Sequence, residues 1–229
     1  MKEYKILSVG GSIIIPPSGF DVSFLKRFRK LIVDEVKKGQ RFILVIGGGA
    51  TAREYQDALN RVTKTSKENL DWMGIAATDI NAKFVRMMFG DYAYKEVIYD
   101  PRKKVKTNKP IIIAAGWKPG CSTDNDGVLL AKTYGVKHML NLSNIEYAYD
   151  KDPNRYKNAK KIDSMAWTVF IREVVGTTWD PGKSTPFDPI ASKTARRMGL
   201  SVSILKGTHL GEVKKALNGK PFKGTHIHP

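Results

Sequence analysis

Short apolar runs alternate along the chain with longer stretches whose apolar residues return every three to four positions. Ile6–Val9 and Phe42–Ile46 read as buried strands, and each runs straight into glycine: Gly10-Gly11-Ser12 after the first, Gly47-Gly48-Gly49 after the second. Between them, Phe24, Phe28, Leu31, Ile32 and Val36 fall at helical spacing within the stretch from Val22 to Lys38. The same reading predicts helices from about Ala50 to Asn60 and from about Leu70 to Phe89, then a strand at Ile111–Ala115 closing on Gly116. Asp126–Tyr134 reads as a helix and His138–Leu142 as a strand. Pro189–Met198, Ser201–Leu205 and Leu210–Leu217 follow as helix, strand and helix. This alternation marks βαβ units, so the predicted fold class is α/β with a mostly parallel central sheet. No repeat or low-complexity linker interrupts 1–229, which is read as one domain. A change of character near Gly135-Val136 divides it into approximate lobes 1–135 and 136–229.

Composition narrows the picture. Hydrophobic residues make up 41% of 229, enough to build a core, so a disordered chain is excluded. No apolar run reaches the ~20 residues that cross a bilayer, no signal-peptide pattern opens the sequence, and the simplest address is the cytoplasm. The single cysteine, Cys121, excludes an intramolecular disulfide and a multi-cysteine zinc cage. Lysine and arginine number 39 against 22 acidic residues, a formal charge of +17 that concentrates anions of any kind. The densest basic stretch, Arg102-Lys103-Lys104-Val105-Lys106, reads as a solvated loop. No nucleic-acid-reading motif accompanies it, so small anionic ligands fit better than a specific nucleic acid. The four histidines, His138, His209, His226 and His228, lack metal-ligand spacing, and no protein metal site is expected.

The candidate chemistry sits where strands end in glycine. In open α/β sheets ligands bind beyond the carboxyl ends of strands, and glycine there lets backbone N–H groups approach phosphate oxygens without a Cβ. One such loop is also what any tight turn needs. Two of them suggest sites for two phosphorylated groups facing each other. Neither follows the Gly-x-x-x-x-Gly-Lys-Ser/Thr pattern, and Gly-x-Gly-x-x-Gly is absent.

The ordered set Val9-Gly10-Gly11-Ser12, Gly47-Gly48-Gly49-x-x-Ala52-Arg53 and Leu70-Asp71-x-x-Gly74 resembles the amino acid kinase superfamily, and within it the archaeal-type uridylate (UMP) kinases. Gly116-x-x-Pro119-Gly120-x-Ser122-Thr123-Asp124, Ser143-Asn144, Tyr149-x-x-Asp152-Pro153, Asp188-Pro189-x-Ala191 and Gly224-Thr225 continue the match. The resemblance implies a three-layer αβα sandwich, commonly a homohexamer, that transfers the ATP γ-phosphate to UMP with Mg²⁺. Residue by residue, it implies that Gly48, Gly49 and Arg53 lie along the UMP phosphate and that Asp71 takes the ribose hydroxyls. Lys118, Pro119, Gly120, Cys121, Ser122, Thr123 and Asp124 would form the segment that closes over uracil and phosphate. Gly10, Gly11 and Ser12 would stand with Ser143, Asn144, Tyr149 and Asp152 on the ATP side. Mg²⁺ would be held mainly by ATP phosphates and water.

Several of these residues also carry ordinary structural readings. Arg53 suits a surface ion pair, Asp71 a cap for a helix starting at Trp72, Tyr149 core packing, and Ser122–Asp124 a turn and helix cap. Asp188 before Pro189 reads equally as an N-cap. Where many relatives carry a lysine that reaches the transferring phosphoryl group, this chain has Ser8. The substitute cation is expected to be Lys193 or Lys183, and Asp188 would hold such a lysine or a Mg²⁺ water in place; either lysine can instead be a solvated surface residue. A related acylphosphate-forming kinase, a non-catalytic nucleotide-binding relative and a basic RNA-binding protein remain the competing readings.

Overall fold

A computed structural model describes residues 3–153, 155–176 and 185–229 of the chain. Lys183 lies outside the described residues. The central sheet contains β1 (Tyr4–Val9), β2 (Arg41–Ile46), β3 (Ala93–Ile98), β4 (Ile111–Ala114), β5 (His138–Ser143), β8 (Ser164–Ala166), β9 (Ser201–Lys206) and β10 (Thr225–His228). Their order is β3-β4-β2-β1-β5-β9-β10-β8, parallel throughout except for the β9–β10 pair. A separate small hairpin joins β6 (Ala148–Tyr149) to β7 (Lys161–Ile162). The helices are α1 (Gly11–Ile14), α2 (Val22–Lys37), α3 (Gly49–Val62), α4 (Lys67–Phe89), α5 (Thr123–Tyr134), α6 (Trp167–Phe170), α7 (Pro189–Met198) and α8 (Leu210–Leu217).

The layers follow from strand alternation. Leu7, Val9, Leu44, Ile46 and Ile113 point to one face, against α2, α4 and α8. Ile6, Ile43, Val45, Ile112 and Met139 point to the other, against α5, α6 and α7. A sheet covered on both faces needs near-continuous apolar strands, which β2 supplies with every residue from Phe42 to Ile46 fully buried. The result is the αβα sandwich the resemblance implied.

Two helices begin earlier than the periodicity alone predicted, because polar caps set their starts. Ser66 accepts from Asn69 N, so α4 opens at Lys67 and Asp71 lies inside it rather than capping it. Ser122 accepts from Asn125 N, so α5 opens at Thr123. Such a cap contributes about 1 kcal/mol. The predicted cap at Asp188 is present: its Oδ1 accepts from Ala191 N at 2.6 Å, with Pro189 in the first helical turn.

The parallel pairs β4-β2-β1-β5-β9 bring their carboxyl ends to one rim. There the two glycine loops touch, backbone against backbone. A Cβ on Gly11 would fall on the main chain of Gly47–Gly49, and one on Gly47 would stand 2.8 Å from Gly11 N. Gly49 also has φ +61, a left-handed conformation that side chains disfavour. We expect Gly11→Ala to lower the unfolding free energy by about 3 kcal/mol, the upper end of overpacking costs. Urea denaturation measures it against Gly211→Ala, where an added Cβ meets nothing.

Candidate active site

On the β4–β2 side of the touching loops lies a cavity of about 360 Å³. Gly48, Gly49 and Arg53 come from the start of α3 and the residue before it, Asp71 and Thr78 from α4, and Lys118 and Cys121–Thr123 from the stretch between β4 and the first residue of α5. Arg53 Nη2 donates to Ser12 Oγ at 3.1 Å, so its guanidinium spans from the second glycine loop to the first. Asp71 Oδ2 accepts from Gly120 N at 2.9 Å, which draws the 116–122 segment toward α4. Pro119 and Gly120 do not line the cavity; they form the turn closed by Cys121 N on Lys118 O. The basic run is anchored beside this segment. The Arg102 guanidinium lies 4.3 Å from the Trp117 ring centroid and the Lys118 ammonium also 4.3 Å, while Arg102 forks onto Asp100.

Two α4 residues hold the loops in shape. Asn81 is fully buried, and its Nδ2 donates to Gly47 O at 3.0 Å and Gly48 O at 3.2 Å. Those carbonyls are held toward α4 where the loop enters α3, whose first N–H groups have no acceptor within the helix. Thr78 Oγ1 accepts from Gly116 N at 2.8 Å and donates to Ile75 O. Sequence reasoning missed both, although Asp71, Gly74, Thr78 and Asn81 follow a 3-4-3 spacing that places them on one helix face.

Asp124 stands beside this cavity, not in its lining. Its carboxylate turns inward and accepts from Ser8 Oγ at 3.1 Å, Asn141 Nδ2 at 3.0 Å and Asp188 N at 3.3 Å. Ser8 and Asn141 are register partners on β1 and β5, on the face toward α5. The site's departure from the lysine pattern therefore lands in a hydrogen bond to Asp124. Desolvation, then the nearby Asp188 carboxylate, push Asp124 up to about 6. Two residues on, Asp126 accepts from Trp117 N and the Cys121 thiol, and burial pushes it up to about 7. Burial and the Asp126 charge push the Cys121 thiol up to about 12, so it stays protonated and is no nucleophile.

On the β5–β9 side a second cavity, of about 300 Å³, is lined by Ser143, Asn144, Tyr149 and Asp152, together with Thr185 and Pro186. The four residues singled out for the ATP side thus converge. Gly10, Gly11 and Ser12 do not line it but stand between the two cavities. The hairpin that carries Tyr149 is bolted to the sheet by fully buried Thr225, whose Oγ1 accepts from Ala148 N and donates to Ile162 O. Lys193 lies on the exposed side of α7, away from buried Ala191, Ser192 and Ala195.

Residues 3–206 match the amino acid kinase family. The uridylate kinase of Methanocaldococcus jannaschii is 30% identical over 224 residues, 96% of this chain and 99% of that protein. The uridylate kinase of Thermoplasma volcanium is 30% identical over 230 residues, 99% of this chain and 98% of that protein. Among solved structures, uridylate kinase from Archaeoglobus fulgidus superposes with a TM-score of 0.81 at 27% identity, covering 99% of this chain and all of that one.

The raised carboxyls set a pH dependence. Asp126 is about 7 when folded and near 3.8 when unfolded, so the folded state holds its proton more tightly, and ionising Asp126 costs stability as pH rises from about 4 through 7. Asp126→Asn removes that term. The variant's stability relative to the parent is expected to rise from pH 4 to about pH 7 and level off above it, read as the difference between urea midpoints; a constant difference would refute the assignment.

Proposed function

Because this chain belongs to the amino acid kinase family, we infer that its rim holds two nucleotides phosphate to phosphate, and that it is a uridylate kinase. It transfers the γ-phosphate of ATP to UMP, giving UDP and ADP. The observation that carries this reading is the placement of two cavities on opposite sides of two glycine loops in backbone contact.

A UMP phosphate oxygen attacks the γ-phosphorus while the bond to the bridging oxygen of ADP breaks. The acceptor is already ionised near neutral pH, so no general base is needed. The transition state spreads charge over the equatorial oxygens, and positioning with electrostatics does most of the catalysis. Arg53 offers a fork of donors between the loops, Lys118 adds charge from the segment over the acceptor, and Asp71 presents carboxylate acceptors to a ribose. Ser122 and Thr123 face the pyrimidine, and Tyr149 packs beside adenine. In place of a lysine at Ser8, we assign the γ-phosphate cation to Lys193 or Lys183.

Mg²⁺ fits this site as a passenger of ATP. Asp124 turns its oxygens onto Ser8, Asn141 and the Asp188 amide, while ATP phosphates and water would supply the hard oxygen ligands that Mg²⁺ favours. When bound, the ion screens charge on the phosphate oxygens.

Self-association has a surface to use. The outer side of α4 exposes Trp72, Ile80, Phe84 and Met87, and Phe20 packs on Phe84 with ring centroids 4.9 Å apart. We assign this face to contact with a second copy, as a homohexamer requires. Phe84→Glu combined with Met87→Glu is expected to reduce the assembly to smaller species in sedimentation velocity; unchanged sedimentation would remove this face from the interface.

A coupled assay of ADP formation, run with UMP, CMP, AMP and carboxylate acceptors, tests the reaction: UMP is expected to be preferred, and turnover with carboxylates alone overturns it. Arg53→Ala and Asn81→Ala are each expected to raise KM for UMP at least ~10-fold, about 1.4 kcal/mol, with KM for ATP nearly unchanged. Val85→Ala, a buried change one turn along α4, lowers Tm without moving KM. Equal behaviour of Asn81→Ala and Val85→Ala would make Asn81 merely structural.

A further inference from the structure

A larger cavity, of about 590 Å³, lies at the opposite end of β5 and β9 from the glycine loops, where these strands begin at His138 and Ser201. Its floor is a sheet face. Fully buried Ser203 places its Oγ 2.9 Å from His138 Nε2 and 3.3 Å from His226 Nδ1, a hydroxyl bridge between two imidazoles on β5 and β10. Its wall is the end of α8 and the turn after it, with Ala216, Pro221 and Phe222. Burial, then the neighbouring His226, push His138 down to about 4. His226 is likewise lowered by burial, so both rings are neutral near pH 7. The floor is thus aromatic and hydrogen-bonding without a charge of its own.

The charge is at the mouth. Lys220 lines this cleft and also an adjoining cavity of about 400 Å³, whose other walls are Lys38, Gly211, Lys214, Lys215 and Asn218. Glu35 and Glu212 neutralise Lys38 and Lys215, while Lys214 and Lys220 are exposed. Asp163 is the carboxylate at the far edge of the cleft, and it is paired with Lys161. An apolar and aromatic slot with a few convergent polar groups, opening onto lysines, suits a flat ring bearing an anionic tail.

We propose that this cleft is a second binding site, remote from phosphoryl transfer, for a nucleoside phosphate whose ring rests on Phe222 and the His138–Ser203–His226 floor and whose phosphate meets Lys220 and Lys214. The site uses no residue assigned to the reaction, and it stands whether or not the acceptor is UMP. It also gives part of the +17 charge a specific task.

The chain has four histidines, which makes the test direct. In protein labelled with ¹³C at histidine Cε1, titration with AMP and with UMP is expected to move the His138 and His226 resonances saturably. Inorganic phosphate should need at least ten-fold higher concentration, because it lacks the ring. His209, 3.6 Å from Glu146 beside the donor cavity, reports on the other rim. The surface variant Lys214→Glu/Lys220→Glu is expected to weaken the His138 and His226 response at least ten-fold, with kcat for phosphoryl transfer unchanged. The proposal is overturned if only His209 responds, or if the double variant titrates like the parent.

Discussion

The architecture turns on one close approach, main chain to main chain, between the loop after β1 and the loop after β2. No side chain fits in that contact, and several elements serve it. β1 and β2 pair in register to bring the loops level, and Asn81 holds two carbonyls aside from below. Arg53 bridges from one loop to the other across the top. The apolar interior on both faces supplies the rigidity that lets glycine, the least constrained residue, sit in a fixed place.

Around that contact the molecule divides its labour by strand. The cavity on the β4–β2 side is lined from the start of α3, α4 and the segment after β4. The one on the β5–β9 side is lined from the end of β5, the β6–β7 hairpin and the residues leading into α7. Asp124 joins the halves, because its three partners belong to β1, β5 and the start of α7. One continuous sheet runs through both sides of Gly135.

Much of this was legible in the residues. β1, β2 and β5 announce themselves as apolar runs, and the glycines mark the rim. β3 and β10 escaped notice because Tyr94-Lys95-Glu96 and His226-x-His228 mix polar residues into strands near the sheet edges, where one face stays wet. Asp124 was read as part of the covering segment. Its inward turn depends on Ser8 and Asn141 standing side by side, a register that only pairing creates. Asn81 was legible in principle from its spacing to Asp71, but a lone buried amide carries no motif of its own.

Ser8 has a consequence beyond its single hydrogen bond. An ammonium at that place would hold the facing acid ionised at all physiological acidities; a hydroxyl imposes no such fixed charge. The place where β1, β5 and the start of α7 meet thus carries a carboxyl that burial raises to about 6, and its charge follows the acidity of the medium.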